Sequence, residues 1–225
     1  MKQVIRIIIA WLYFMMAGEV FAGINDGFTI DMATLKAGKL QIFTEEFKVE
    51  GEGKRKRVIG VILINKPPGD VWEVLKDWDS MGQYVPGLKY YKTIHTITPI
   101  DDMNNGETLI EGELDVPIVT VTYTVNVTFR ASENYRVEWH LLSEKQIQKY
   151  CDSNIPVKAN SSGLKSIEGF GYLEAVDDGL KTVYTYAPIV EISIPIPGFV
   201  ERYISKSSLK GYLNAVKKHV ESKEK

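Results

Sequence analysis

Hydrophobic and polar residues alternate most regularly between residues 118 and 130. Valine, tyrosine and phenylalanine occupy the odd positions from 119 to 129, while threonine, asparagine and arginine occupy the even positions. A period of two sustained over this length predicts a long antiparallel strand with one buried and one exposed face. The alternation resumes at 135–141 after a turn. We therefore expect two consecutive strands whose apolar side chains lie on one face of a sheet.

Other segments have the apolar, β-branched composition of strands and are bounded by glycine, proline or asparagine. These further strands are predicted at 58–64, 88–98, 107–116, 165–176 and 180–194. Two glycines inside the segment 165–176 favour a bulge or a sharp bend. The segment 143–163 is predicted to be a loop. The sequence thus predicts an antiparallel sheet of about seven strands.

Apolar residues spaced three to four positions apart predict helices in two places. Two short helical segments follow the strand at 58–64, across residues 70–84. From residue 199 to residue 225 there is no proline, and the apolar residues recur at helical spacing. This pattern predicts a long amphipathic helix at the C-terminal end. Helices that are segregated from an antiparallel sheet indicate the α+β class.

The first 22 residues have a different character from the rest of the chain. Two basic residues precede an apolar run at 7–18, which is short for a helix that spans a bilayer. Val20 and Ala22 then place small side chains at the −3 and −1 positions of a cleavage site. This pattern predicts a signal peptide at 1–22 and an exported protein, which is periplasmic if the source is a Gram-negative bacterium. An uncleaved membrane anchor is the alternative.

Composition narrows the chemistry that we expect. The chain has 225 residues and a formal net charge of −2, so global charge gives no reason to expect binding to nucleic acid. It has a single cysteine, and its three histidines lie far apart in sequence, so we expect no disulfide, no metal site and no cofactor. Residues 23–53 are expected to form an N-terminal extension, and residues 54–222 a single domain.

A group of residues between the first two predicted strands of this domain carries a family resemblance. They form a Pro-x-x-Val-Trp helix start, a Trp-Asp helix end and a Tyr-x-Pro-Gly turn. They are Pro68, Val71, Trp72, Trp78, Asp79, Tyr84, Pro86 and Gly87. With the long final helix after the segment IPIPGF, residues 54–222 resemble the START-like (SRPBCC) superfamily. That superfamily includes the birch pollen allergen type, polyketide cyclases, coenzyme Q-binding proteins and lipid-transfer START domains.

The resemblance implies the helix-grip fold, in which a curved antiparallel sheet wraps around the long C-terminal helix. It also implies an apolar cavity between the sheet and that helix. The residues that we expect to line the cavity from the sheet are Val121, Tyr123, Val125, Val127, Phe129, Val137, Trp139 and Leu141. Those expected from the helix are Ile204, Leu209, Tyr212, Leu213 and Val216. The alternative is that these side chains fill an ordinary core.

Tyr184 and Tyr186 are candidates for the polar groups that orient one polar end of a ligand. The pattern of their strand leaves open which of its faces is buried. We expect an exported carrier for a hydrophobic small molecule, such as a lipid, an isoprenoid or a sterol-like compound. The apolar side chains of Ile194, Ile196 and Phe199 at the mouth of the cavity are expected to contact a membrane transiently.

Two other functions stay open at the level of the sequence. The first is a cyclase or hydrolase that acts on an apolar substrate in the same cavity, although no catalytic motif is present. It would need Glu168, Glu174 or His95 to face inward beside one of the two tyrosines. The second is a module that binds a partner protein and has a filled core without a cavity.

Overall fold

The computed structural model describes residues 20–22, 28–49, 53–101, 103–116, 119–131, 135–192 and 198–223, with the backbone alone at 20–22, 49, 116, 119, 192 and 198–205. The described strands are β1 (Val20–Ala22), β2 (Thr29–Asp31), β3 (Gln41–Val49), β4 (Gly53–Ile64), β5 (Leu88–Thr98), β6 (Asn105–Val116), β7 (Val119–Arg130), β8 (Arg136–Leu141), β9 (Leu164–Val176) and β10 (Lys181–Ile192). The helices are α1 (Met32–Lys36), α2 (Pro68–Lys76), a 3-10 helix (Trp78–Gln83), α3 (Glu144–Asp152) and α4 (Gly198–Ser222).

Strands β3 to β10 form one antiparallel sheet in the order β3-β4-β10-β9-β8-β7-β6-β5. Helix α4 packs on one face of this sheet, which we call the inner face. The opposite face is called the outer face. The predicted α+β helix-grip architecture is confirmed. No helix among the described residues is long and apolar enough to cross a membrane.

The predicted number of strands is wrong, because the sheet has eight strands instead of seven. The additional strand is β3, which lies in the segment that the sequence analysis assigned to the N-terminal extension. Glu45, Glu46 and Lys48 give this edge strand a polar composition, so that it lacks the apolar run of a buried strand. Its pairing with β4 from Gln41↔Val61 to Val49↔Gly53 makes it an integral part of the sheet.

Of the bulge or sharp bend predicted at the glycines of β9, the bulge is wrong. Strands β9 and β10 stay in register through Gly169 and Gly171, and their register shifts only between Glu191 and Ile192. A Cβ atom at Gly169 would lie 2.5 Å from the indole ring of Trp139 on the neighbouring strand. The glycine is therefore needed because a large ring lies across the backbone of β9.

The predicted loop at 143–163 contains helix α3. Ser143 accepts a hydrogen bond from the backbone of Gln146, and the Gln146 side chain accepts one from the backbone of Ser143, which forms a capping box. The capping residues were visible in the sequence, but the helix is polar on average and buries none of its residues completely. Together with Val157 and Ile155 it covers Leu109 on the outer face.

The N-terminal segment covers a further part of the outer face. Ile30, Met32 and Leu35 from β2 and α1 are buried against Ile59 and Val61 of β4. Strand β1 pairs with β2 and lies within the predicted signal peptide. The sheet is thus covered on both of its faces, and only the inner face meets the long C-terminal helix.

Candidate ligand-binding site

A small cavity lies between helix α4 and the inner face of the sheet. Its volume is about 10 Å³, which is close to the space that one water molecule needs. Its lining combines apolar side chains from α2 and the 3-10 helix with aromatic side chains from the sheet and α4. The lining residues are Leu75, Trp78, Met81, Tyr91, Val137, Trp139, Tyr184, Tyr186 and Tyr212.

The structure defines which face of β10 carries Tyr184 and Tyr186, a question that the sequence pattern left open. Tyr184 pairs with Leu173, and Tyr186 pairs with Gly171, so both tyrosines point to the same side of the sheet as these partners. Tyr184 is completely buried in the core cluster beneath α4, and Tyr186 packs against that cluster. Both side chains therefore face α4. Thr185 between them is also fully buried, on the outer face.

The rings around the cavity contact one another. Tyr186 stacks on Tyr212 of α4 with ring centroids 4.1 Å apart, and on Trp139 with centroids 5.3 Å apart. Trp78 lies 4.8 Å from Tyr91 and 6.2 Å from Trp139. This continuous group of five rings joins β5, β8, β10, the 3-10 helix and α4. Such offset and edge contacts are favourable for aromatic pairs.

Hydroxyl groups in this region pair with each other. The Tyr184 and Tyr212 oxygens are 3.2 Å apart, and the Tyr91 and Tyr123 oxygens are 3.1 Å apart. Burial raises the pKa of Tyr123, Tyr184 and Tyr212 well above its usual value, because the charged phenolate loses its hydration. These groups are neutral at physiological pH and act as hydrogen-bond donors and acceptors rather than as bases.

Two buried polar atoms near the cavity have no hydrogen-bond partner within the described part of the chain. They are Nε1 of Trp78, which lines the cavity, and the hydroxyl of Tyr84. Nε1 of Trp72 shares this property, but Trp72 lies away from the cavity against Phe129. A buried donor without a partner costs free energy, so the Trp78 indole is a natural site for a polar group of a ligand.

The C-terminal half of α4 is held in place by specific contacts. Leu213 and Leu209 lie directly over Gly60, where a Cβ atom would approach Leu213 to 2.4 Å. Glu221 accepts hydrogen bonds from the backbone and side chain of Asn65. The His219 ring stacks on Tyr84 with centroids 4.0 Å apart. The close approach at the glycine fixes the height of the helix above the sheet.

Comparisons with known proteins identify the fold. No family model matches the sequence, and no curated protein does. A solved STAR-related lipid transfer protein from Xanthomonas axonopodis is similar with a TM-score of 0.58 and 14% identity, covering 91% of this chain and 98% of that one. Human StAR-related lipid transfer protein 5 is similar with a TM-score of 0.54 and 12% identity, over 98% of this chain and 95% of that one.

A third solved structure comes from an enzyme. The Zhui aromatase/cyclase from a Streptomyces species is similar with a TM-score of 0.54 and 12% identity, covering 80% of this chain and 94% of that one. The chain has the START-like helix-grip fold. This agrees with the fold expected from the sequence resemblance, and the cavity beneath α4 occupies the place that this fold implies.

The START-like fold puts most of the predicted ligand-contacting residues on the inner face. Five of them line the cavity: Val137, Trp139, Tyr184, Tyr186 and Tyr212. The others pack in the same core without reaching the cavity: Val121, Tyr123, Val125, Val127, Phe129, Leu141, Leu209, Leu213 and Val216. The side chain of Ile204 lies outside the described part of the structure, as do the predicted membrane contacts Ile194 and Ile196 and the side chain of the third, Phe199. A ligand contact at any of these positions stays a prediction.

The sequence analysis did not assign four lining residues to the site. Leu75, Trp78 and Met81 come from the helical segments after β4, and Tyr91 comes from β5. The spacing of the first three was visible as a helical apolar face. Nothing in the sequence showed that this face meets the tyrosines of β10, because the contact joins elements more than 90 residues apart.

The candidate catalytic groups lie away from the cavity. Glu168 is on the outer face, where it forms an ion pair of 2.6 Å with Arg55. Glu174 has the same strand parity and therefore the same outer orientation. His95 is opposite Leu109, which belongs to the cluster beneath α3. The described residues also contain no group of three or more side chains that could hold a metal ion.

Proposed function

We propose that this protein is an exported binding protein that carries a hydrophobic small molecule between α4 and the inner face of the sheet. The observation that carries this proposal is the lining of the cavity. It combines six aromatic residues and the aliphatic side chains of Leu75, Met81 and Val137 with neutral hydroxyl groups. It also includes Trp78, whose indole N–H has no hydrogen-bond partner among the described residues. Binding sites for small molecules are typically apolar, with a few polar groups that fix the orientation of the ligand.

The cavity must enlarge before it can hold such a ligand. Its volume of about 10 Å³ contrasts with the several hundred Å³ of a typical site for a small molecule. The rings of Tyr186, Tyr212 and Trp139 are the side chains that would move aside. Each ring pair that separates loses about 0.5–1.5 kcal/mol of contact free energy, and contacts between ring and ligand replace it. This exchange makes enlargement by an apolar ligand energetically accessible.

The lining also indicates a chemical class of ligand. None of its residues carries a formal charge, and the buried tyrosines stay neutral. A charged head group would lose its hydration there without gaining an opposite charge, which is costly. We therefore favour a ligand with an apolar body and an uncharged hydroxyl or carbonyl group, such as an isoprenoid, a sterol-like compound or a neutral lipid.

The comparisons support ligand binding in general terms. Two of the similar structures are named as lipid transfer proteins, and one is named as an aromatase/cyclase. A cyclase that acts in the same cavity is the second candidate. The described lining has no carboxylate or imidazole to move protons, and its tyrosines are poor bases. Binding without chemistry is therefore the function that we favour.

Quenching of tryptophan fluorescence tests the site. Trp78 and Trp139 line the cavity, while Trp72 is buried about as deeply but packs elsewhere, against Phe129 and Tyr135. We expect a brominated long-chain alcohol to quench the emission in a saturable way with one molecule per chain. Bromine quenches over short distances, so the double variant Trp78→Phe, Trp139→Phe should lose the quenchable signal.

The matched control for this assay is Trp72→Phe, which should keep saturable quenching. The binding site would lie elsewhere if Trp72→Phe abolished the signal and the double variant kept it. An absence of saturable quenching in the wild-type protein, over a panel of apolar alcohols, sterols and isoprenoids, would contradict the proposal itself.

Export is a separate part of the proposal and rests on the pattern of residues 1–22. Cleavage would leave Gly23 at the new amino terminus. N-terminal sequencing of protein purified from its own host tests this, because an intact Met1 terminus would exclude cleavage there. For transient membrane contact, we expect Ile196→Ser and Phe199→Ser to reduce co-sedimentation with liposomes, and unchanged binding would count against that contact.

A further inference from the structure

The two free edges of the eight-stranded sheet differ in regularity. Strand β5 shifts its register with β6 at three points. Bulges of this kind bend an edge strand and hinder the addition of another strand. Strand β3 pairs with β4 from Gln41 to Val49 without a register shift, and no strand in the described part of the chain pairs with its other side. Strand β3 therefore presents a regular edge that another strand can extend.

Strand β3 also carries a lysine that its own chain does not neutralise. Lys48 is exposed and lies directly opposite Lys54 of β4. Like charges in this position destabilise a pair of strands. Glu46 on the same face already pairs with Lys54 at 2.6 Å, and no ion pair to Lys48 exists within the described residues. An acidic side chain beyond the edge of the sheet would offset this imbalance.

The outer face of the same edge carries an aromatic ring. Phe47 is half-buried, and the guanidinium carbons of Arg57 and Arg55 lie 5.1 Å and 6.0 Å from the centre of its ring. Aromatic residues that keep part of their surface exposed are frequent anchors of protein interfaces. The edge thus combines open backbone groups, a charge without a counter-ion and an aromatic side chain, and this combination fits another strand.

We propose that two copies of this chain pair through their β3 strands, in antiparallel orientation about a two-fold axis at Phe47. A two-fold axis normal to the sheet keeps the outer faces of both copies on one side, so the axis must pass through a residue of β3. With the axis at Phe47, Glu46 of each copy lies opposite Lys48 of the other. The two Phe47 rings then lie opposite each other on the outer face. Each copy supplies the acidic group that Lys48 of the other copy lacks.

Charge selects this register among the alternatives. An axis at Glu45, Glu46 or Lys48 would set two like charges directly against each other, which is unfavourable. Glu46 and Lys48 are the only charged residues of β3 that share a face and differ in sign, so only the axis at Phe47 joins opposite charges. The paired segment covers only the second half of β3. A contact of this size is smaller than most stable interfaces, so the dimer should form reversibly and depend on concentration.

Analytical ultracentrifugation at low salt tests the pairing, and we expect the wild-type protein to shift from monomer to dimer as its concentration rises. Lys48→Glu makes both pairs between the copies repulsive, so dimerisation should weaken by about tenfold or more. Its melting temperature should not fall, because the like charge opposite Lys54 is removed. Glu46→Lys should also weaken dimerisation, and the double variant Glu46→Lys, Lys48→Glu should restore it. The proposal is wrong if the wild-type protein stays monomeric, or if the double variant dimerises as weakly as the single variants.

Cross-linking tests the register directly. In a background of Cys151→Ser, which removes the single exposed thiol, Phe47→Cys places two thiols opposite each other, with Cα atoms roughly 4.5–5.5 Å apart. This distance suits a disulfide, so oxidation should yield a covalent dimer. Glu45→Cys is the matched control, because its two copies would lie about 13 Å apart along the strands and should not cross-link. A monomeric Phe47→Cys variant, or a covalent dimer of Glu45→Cys, would overturn the proposal. Pairing does not depend on the proposed ligand, because the quenching assay reads the cavity separately.

Discussion

Both faces of the sheet bury apolar side chains, but the aromatic rings on the two faces have different partners. Around the cavity, the inner face presents aromatic rings that contact one another, such as Tyr186 with Tyr212 and Trp139. The outer face buries Phe170 and Tyr172, whose rings stack 6.1 Å apart, together with aliphatic residues beneath α1, and it also carries partly exposed ion pairs. Arg55 pairs there with Glu168 at 2.6 Å and Glu191 at 2.9 Å.

The difference shows which face can change its packing. On the outer face, Phe170 lies beneath two guanidinium groups, at 4.6 Å from that of Arg57 and 4.4 Å from that of Arg136. Charged partners with defined geometry hold this ring in one place. On the inner face, a ring can exchange one apolar neighbour for another at little cost. We infer that the outer face mainly stabilises the fold and that the inner face can accept a ligand.

Buried polar atoms without a described partner do not by themselves separate the two faces. The hydroxyl groups of Thr124 and Thr185 have this property on the outer face, as Nε1 of Trp78 has on the inner face. What distinguishes Trp78 is its place on the wall of a cavity. The difference between the two faces therefore lies in a combination that the inner face has: a cavity, aromatic rings that contact one another, and a buried polar atom on the cavity wall.

The largest expected effect comes from raising the pH. Burial raises the pKa of several inner tyrosines above the usual value of 10: Tyr91, Tyr123, Tyr184, Tyr186 and Tyr212. Because the folded state resists ionisation, their contribution to stability is complete below pH 10 and is lost as the pH rises above it. Phenolate absorbance and circular dichroism should therefore change together in an alkaline titration. Ionisation of all tyrosines without unfolding would contradict the burial of these rings.

A pair of alanine variants then compares the faces directly. Trp139 and Phe170 are each 7% exposed, one on each face. Replacement of either by alanine should lower the free energy of unfolding by about 3–5 kcal/mol. Added indole should raise the melting temperature of Trp139→Ala, because the enlarged inner cavity is apolar and can bind it. An equal rise in the melting temperature of Phe170→Ala on adding indole would show that the two faces accept an apolar ligand equally well.

The N-terminal segment should contribute stability without affecting the cavity. Leu35 of α1 is 1% exposed and packs on the outer face. Leu35→Ala should lower the free energy of unfolding by about 2–5 kcal/mol, as measured by urea denaturation. Quenching of tryptophan fluorescence by the brominated alcohol should be unchanged. A large loss of affinity in a variant that is still folded would mean that the two faces are coupled.

The position of α4 can be changed through Gly60. Gly60→Ala places a methyl group against Leu213 and should cost about 1–3 kcal/mol, because the helix has to move away from the sheet. Gly69→Ala is the matched control. Nothing lies within 4 Å of its Cβ position at the start of α2, so it should be neutral or slightly stabilising. The melting temperatures of the two variants are compared in thermal melts. An equal decrease in both would argue against the close contact between Gly60 and Leu213.

The smallest effect is expected from a single hydroxyl group. Tyr184→Phe removes the hydrogen bond to Tyr212 and should lower the free energy of unfolding by about 0.5–1.5 kcal/mol. Tyr150→Phe on α3 is the control, since that residue is only half-buried and lies on the outer side. Affinity for an alcohol ligand should fall for the first variant and remain unchanged for the second.

Much of the fold could be predicted from the sequence because its strands differ in exposure between their two sides. The alternation in β7 correctly assigned Val121, Tyr123 and Val125 to the inner core. It failed for β10, where Tyr184 and Thr185 are both completely buried, so no contrast between faces exists. It also failed for β3, an edge strand whose charges conceal its pairing.

The size of the cavity could not be predicted in the same way. Strand period tells which side chains face inward, but volume depends on how rings from distant segments fit together. Trp78, Trp139 and Tyr212 belong to three separate elements and meet only in the folded chain. The sequence therefore showed that these aromatic residues exist, but it could not show that their rings nearly fill the space between them.

The most direct test of the central claim is native mass spectrometry of the protein purified from its own host, followed by organic extraction. The account predicts one uncharged apolar molecule bound per chain. That molecule should be displaced by the brominated alcohol, and adding it back in excess should reverse the quenching and restore the tryptophan emission. A mass that corresponds to the chain alone, together with no shift in melting temperature over a panel of apolar ligands, would contradict the account and favour a permanently filled core.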